Sequence, residues 1–199
     1  MSEIKALNGI TLQPNRGFAI SLIWTGVLGW LASFALVLER IHVATNPNAT
    51  LSCDLNPFIS CKSVMLTAQA KLFGFPNPLI GLSAFMFPIA VGAAILAGAR
   101  FPRWFWNTFM VGITAGFVFV IWLAHEAIFD IGALCPYCMV AWVATLLVLS
   151  VLLRELVELK KQKTTDEDQI IAIDTIKKFL VPFHVLWAAL LVGSAFLGV

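Results

Sequence analysis

Five stretches of mostly apolar residues punctuate the chain, each close to the ~20 residues a helix needs to cross a bilayer. They run Gly17 to Leu38, Leu79 to Ala99, Trp104 to Leu123, Pro136 to Leu153 and Phe179 to Gly198. Only Arg100 to Arg103 joins the second stretch to the third, and the link from His125-Glu126 to Cys135 is similarly short. The second, third and fourth spans are therefore expected to form a tight up-down unit. Pro88 predicts a mild kink in the second span, which neighbouring helices tolerate in a membrane. A longer loop, residues 39–78, follows the first span, whose exit is marked by Glu39-Arg40, and Asn46-Pro47-Asn48 reads as exposed. Residues 154–178 form a mixed-charge linker around Thr164-Thr165-Asp166-Glu167-Asp168, continuing the fourth helix into water before turning. The first stretch is too long for the apolar core of a secretory signal and lacks a small-residue cleavage site before Glu39, so it reads as a retained anchor. With no internal repeat, the expectation is one transmembrane domain over residues 1–199.

Composition changes this from a pattern into a class. Of the residues, 60% are hydrophobic and 12% charged, and the mean hydropathy is +0.90. A water-soluble domain of this length cannot hide so much apolar surface. The fold class is an all-α integral membrane protein. Basic residues then set its orientation. With the N-terminus in the cytoplasm, Lys5, Arg16, Arg100, Arg103, Arg154, Lys160, Lys161, Lys163, Lys177 and Lys178 lie inside, against Arg40, Lys62 and Lys71 outside. The net charge of +2 reflects this sorting and gives no reason to expect a nucleic-acid partner.

That orientation puts all four cysteines on the outer side, where disulfides form and persist. Cys53 and Cys61 lie in the long loop, and Cys135-Pro136-Tyr137-Cys138 opens the fourth span. Pro136 suits the first turn of a helix, having no amide hydrogen to leave unpaired. The free amides there favour negative charge, so one of the two thiols is expected to ionise readily. Ser60 stands as an N-cap ahead of Cys61, beside Lys62, a second place where a thiolate is favoured. Val64, Leu66, Leu72, Phe73 and Phe75 predict a short interfacial helix capping the bundle and ending near Gly74 and Pro76.

Two chemistries use such a set. Four thiolates suit structural zinc in a non-enzymatic transporter or scaffold, but Cys53 and Cys61 are farther apart than a usual zinc knuckle and no soluble mini-domain needs the metal. Thiol-disulfide exchange explains two pairs in separate loops, with electrons passing from one pair to the other. The pair at the membrane boundary can meet a lipid-soluble two-electron acceptor, for which a quinone fits. No Gly-rich nucleotide motif offers another acceptor.

Cys53-Asp54, Cys61, Thr67, Asn77 and Cys135-Pro136-Tyr137-Cys138 together resemble the vitamin K epoxide reductase family, specifically its bacterial branch that oxidises thioredoxin-fold partners. The likeness covers about the first 155 residues. In the unrelated DsbB-type enzymes the Cys-x-x-Cys pair comes first in the chain, the reverse of the order here. The resemblance implies a four-helix bundle around a quinone pocket, a capping loop and an additional fifth span. It implies that Cys53 exchanges with a soluble DsbA-like protein, that Cys61 attacks Cys135, and that Cys138 reduces a menaquinone or ubiquinone. Asn77 would hydrogen-bond a quinone carbonyl, with Thr67 near the active cysteines and Trp142 as a pocket aromatic. Each has a plainer role open to it: Asn77 as a helix cap, Thr67 bonded to its own backbone, Trp142 as packing. His125 and Glu126 are either a proton relay or interfacial polar residues. Many bacterial relatives carry a fused thioredoxin-like domain, and this chain is expected to be the stand-alone form. Reduction of vitamin K epoxide itself is the alternative activity.

Overall fold

The computed structural model describes residues 14–161. The expected N-terminal tail up to residue 13, the linker from residue 162 and the fifth span at 179–198 lie outside the described residues. Six segments follow in order: α1 (Arg16–Thr45), α2 (Cys61–Met65), a 3-10 turn (Gln69–Lys71), α3 (Pro78–Leu96), α4 (Arg103–His125) continued by a π turn (Glu126–Ile131), and α5 (Pro136–Lys161). Among the described residues there is no strand, only isolated bridges from Ile59 to Asn56 and to Leu134. Four helices, α1, α3, α4 with its π turn, and α5, are long and apolar enough to cross a membrane. The chain is a multi-pass helical membrane protein.

The helices differ from the expected spans at their ends. α1 does not stop at Glu39-Arg40 but runs on to Thr45, because both charged residues find partners alongside the helix: Arg40 donates to the Met65 carbonyl at 2.7 Å, and Glu39 accepts from the Ser52 hydroxyl. The expected capping helix is broken in two. Ser60 does cap α2, accepting from the Ser63 amide at 3.1 Å, but Thr67 closes that helix by donating to the Val64 carbonyl. A separate 3-10 turn follows, and Gly74 then takes a φ of +82°, where glycine is favoured.

α1 is the central helix, packed against α3 most extensively and also against α5, which in turn packs on α4. Because lipid supplies no hydrophobic drive between helices, close packing has to hold them. Gly26 and Gly29 of α1 and Gly92 of α3 let the two backbones meet. At Gly29 the Phe85 ring fills the space a Cβ would need, and a Cβ on Gly92 would fall 2.6 Å from the Ala19 carbonyl oxygen. Side chains such as Trp24, Phe87 and Val118 are left exposed, as lipid-facing positions are. At the end opposite the cysteines, Asn15 caps α1 by accepting from the Phe18 amide at 2.7 Å, and Glu155 of α5 accepts from the Asn15 amide at 3.1 Å. The core there is built from Phe18, Leu22, Trp106, Phe109, Val148 and Leu152.

This geometry separates two glycines that sequence alone would treat alike. Gly92→Ala pushes a methyl onto backbone and is expected to cost about 1–3 kcal/mol by overpacking. Gly112→Ala, where an added Cβ meets nothing within 4 Å, is expected to be neutral or slightly stabilising through helix propensity. Thermal unfolding of the purified variants in detergent measures the difference.

Candidate active site

The sulfurs meet because one backbone pairing sets their register. The Leu134 amide donates to the Phe58 carbonyl at 2.8 Å, and the Ser60 amide donates to the Leu134 carbonyl at 3.0 Å. The next residue on each strand of this bridge is a cysteine, Cys61 and Cys135. Their Sγ atoms lie 2.9 Å apart, and Cys61 is joined to Cys53 by a disulfide. Leu36, Val43, Leu51 and Met65 enclose the three sulfurs in an apolar cluster, leaving Cys53 only 4% exposed and Cys61 and Cys135 still less. Cys138 follows one turn into α5. It carries a free thiol, as does Cys135.

Asp54 anchors the loop at this point. Its carboxylate accepts from the Leu51 amide at 3.1 Å, the Lys62 amide at 3.1 Å and the Ser60 hydroxyl at 2.8 Å. Burial pushes the carboxyl up, but the donors from Lys62, Leu51, Ser60 and Cys61 outweigh it and hold the group below its ordinary value. The Cys135 thiol is also held below its ordinary value. A hydrogen bond from the Cys138 thiol contributes most, ahead of the opposing effect of burial; the Cys138 and Tyr137 amides add to the lowering, and nearby Asp54 opposes it. The free amides at a helix start thus favour the thiolate at Cys135. The Lys62 ammonium expected to help Cys61 donates to the Ala49 carbonyl at 3.1 Å. A thiol inclined to ionise beside a disulfide sulfur is the arrangement that thiol-disulfide exchange requires. For metal binding the same three sulfurs, all within 4.8 Å of one another, offer a single thiolate, because two are spent on each other.

Beneath the sulfurs lies a cavity of ≈ 200 Å³ between α1, α3, α4 and α5, roofed by the α2 to 3-10 segment. Its wall is almost wholly apolar with a few polar groups, the usual composition of a small-molecule site. Cys138, Asn77, Thr67 and Trp142 all line it. Cys138 is half-buried, and this cavity is where its surface opens. Trp142 is buried against Ala124, Ala127 and Leu134. Asn77 occupies the N-cap position of α3 without capping it. Its side chain instead donates to the Gln69 carbonyl at 2.7 Å and accepts from the Leu72 amide at 3.3 Å, stapling the roof. Thr67 spends its hydroxyl hydrogen on Val64 and accepts from the Ala70 amide at 3.3 Å. A mostly apolar space that reaches a thiol and carries a few amide and carboxyl groups suits a quinone head group.

The family model for the vitamin K epoxide reductase family matches residues 20–153. The chain belongs to this family. That membership makes it a membrane thiol-disulfide oxidoreductase of a quinone-associated class. No match is found among curated proteins.

Several site residues of this family member carried no sequence signal of their own. Arg40 and Gln69 also line the cavity, as does Glu126, which the sequence offers with His125 as a relay or an interfacial polar residue; Gln69 donates to Glu126 at 3.1 Å. Tyr137 stands between the two cysteines of the Cys-x-x-Cys motif in sequence, and its hydroxyl is 3.2 Å from that of Ser52, next to Cys53. The spacing of Arg40 or Gln69 from any cysteine reveals nothing. Tyr137 was visible only as part of its motif.

Asp54 gives a pH test with a definite sign. Because folding lowers its carboxyl, the stabilisation it lends the loop is complete above the ordinary carboxylate value and is lost as pH falls through the lower folded value. Asp54→Asn removes the charge and sets an amide against three donors, at an expected cost of about 1–3 kcal/mol. Limited proteolysis of the loop should show release only on acidification in the native protein, but already near neutrality in the variant.

Proposed function

We propose that this protein generates disulfides on the extracytoplasmic side of a cell membrane, reoxidising a soluble DsbA-like thioredoxin-fold protein and delivering the electrons to a menaquinone or ubiquinone. The observation that carries the reading is the Cys135 sulfur 2.9 Å from the loop disulfide, above a cavity onto which Cys138 opens. It is joined by the basic residues, which favour an outward-facing cysteine end.

In this route Cys53 is the sulfur that the partner's thiolate attacks, with Cys61 leaving. The reduced Cys61 then attacks Cys135 of an oxidised Cys135–Cys138 pair, and Cys138 leaves as thiolate. The partner's second thiolate attacks its own sulfur in the mixed disulfide, so that the partner leaves oxidised and Cys53 leaves as thiolate; Cys53 then closes on Cys61 and frees Cys135. Two electrons have then moved from the loop pair to the pair at the head of α5, and the disulfide pattern is the one the structure holds. The bound quinone supplies the sink, taking two electrons and two protons. Asn77, Thr67 and Trp142 would hold its ring beside Cys138. Thr67 can do so only as an acceptor or by contact, since its hydrogen is engaged by Val64. Cys53 is buried, so the partner must first lift the segment that Ser52 ties to Glu39 and Tyr137.

Cys135→Ala and Cys138→Ala should each abolish quinone reduction by a reduced thioredoxin-fold donor, and unchanged turnover by either purified variant would reject the assignment. Cys61→Ser should trap a mixed disulfide between Cys53 and the donor, visible on a non-reducing gel. Recovery of the trap on another cysteine would reverse the roles given to the loop pair.

A further inference from the structure

Quinone reduction needs protons as well as electrons, and the cavity wall holds one carboxyl group among the described lining residues, Glu126. Several of the other polar groups there are committed. Arg40 donates to the Met65 carbonyl, Thr67 to the Val64 carbonyl and Asn77 to the Gln69 carbonyl. Glu126 is half-buried and tied to the roof only by the bond it accepts from Gln69. It also opens the π turn, a widened helical turn of a kind that recurs at functional sites. The consequence here is a cluster. A ring nitrogen of His125 and carboxylate oxygens of Glu126 and Asp130 all lie within 4.8 Å of one another, and His125 and Asp130 are exposed. Titratable groups thus cluster from the surface at the cysteine end to the cavity wall, each within 4.8 Å of the others. The remaining ionisable groups on that wall are Arg40 of α1 and Cys138 of α5.

We propose that Glu126 is the proton donor to the quinone oxygen, refilled from outside water through His125 and Asp130. The inference rests on the quinone-reducing reading above. As Cys135 and Cys138 form their disulfide they release two electrons and two thiol protons. The quinone gains two electrons and two protons and leaves as quinol. Glu126 gives up its proton and regains one from the outer water, once for each proton taken, while the thiol protons return to that water.

Glu126→Gln is a clean probe, because its amide oxygen still accepts the bond from Gln69 while the acidic proton is gone. With a reduced thioredoxin-fold donor and decylubiquinone, the variant should lose about 100-fold in kcat, the scale of a lost general acid. Glu126→Asp should restore part of the rate. Decylubiquinone binding, read by quenching of tryptophan fluorescence, should be unchanged, and the infrared difference spectrum between bound quinone and quinol should lack a carboxyl band present in the native protein. Wild-type turnover in Glu126→Gln would overturn the proposal. So would an equal loss in Gln69→Ala, which breaks the roof contact alone, or a binding defect large enough to explain the rate. If the native protein fails to reduce quinone with any donor, the functional reading itself falls. Glu126 can then still be judged by reducing bound decylubiquinone chemically, where absence of the carboxyl band in the native protein counts against it.

Discussion

The structure depends on a two-bond backbone bridge between Leu134 and the loop residues Phe58 and Ser60. Everything that makes the cysteine end chemical follows from its register. Shifting the loop by one residue would turn Cys61 to the opposite side, since neighbouring side chains on an extended backbone alternate. The bridge is only two bonds long, so other contacts must keep it from sliding. Asp54 gathers donors from both sides of the Cys53 to Cys61 turn, the Ser60 cap starts α2 immediately after the bridge, and Arg40 caps the other end of α2 by binding the Met65 carbonyl. Each contact satisfies a polar group that the surrounding apolar cluster would otherwise strand without water.

The bilayer imposes the second constraint, and it divides the molecule. In the helical half, backbone groups satisfy themselves and glycines bring α1 and α3 together. Irregular backbone is expensive in lipid and is found where it roofs a cavity. The broken α2 to 3-10 segment and the π turn are both of this kind, and Gln69 to Glu126 joins them across the cavity mouth. The apolar enclosure around the sulfurs has a further effect. It excludes competing solutes from the disulfide, which limits exchange to a thiol that can enter the cluster or to one already inside it.

Much of this was legible in the sequence because it is written in strong, local signals. Apolar length gave the four described helices, Pro136 marked the start of α5, and Ser60 marked the start of α2. The proximity of Cys61 to Cys135 was not local, and it was reached through likeness to a family rather than through spacing. What escaped was decided by tertiary partners. Glu39 and Arg40 look like a helix exit until Ser52 and Met65 are seen to pair with them inside a longer helix. Lys62 looks like a thiolate-stabilising neighbour, yet the Ala49 carbonyl claims it. Asn77 was read as either a cap or a ligand, and its side chain holds the roof together while still lining the cavity. His125 and Glu126 read in the sequence as either a proton relay or interfacial polar residues, but Asp130 joins them only through the π turn, because an ordinary α-helical turn would space the three differently around the axis.

The proposed route also explains why the two thiols of one short motif need such different surroundings. Cys135 has to be a good electrophile or leaving group towards Cys61, and its negative form is favoured first by the hydrogen bond from the Cys138 thiol and then by the free amides of the helix start. Cys138 has to touch both regions, and one turn into the helix it packs against the sulfur cluster while also lining the cavity below. A two-residue spacer is therefore the separation that keeps the sulfurs within bonding reach while bringing the second of them to the cavity. A longer spacer would take Cys138 deeper and out of reach of Cys135. A shorter one would turn it towards a neighbouring helix, away from the cavity, and the path between client thiols and the membrane would be cut at its last step.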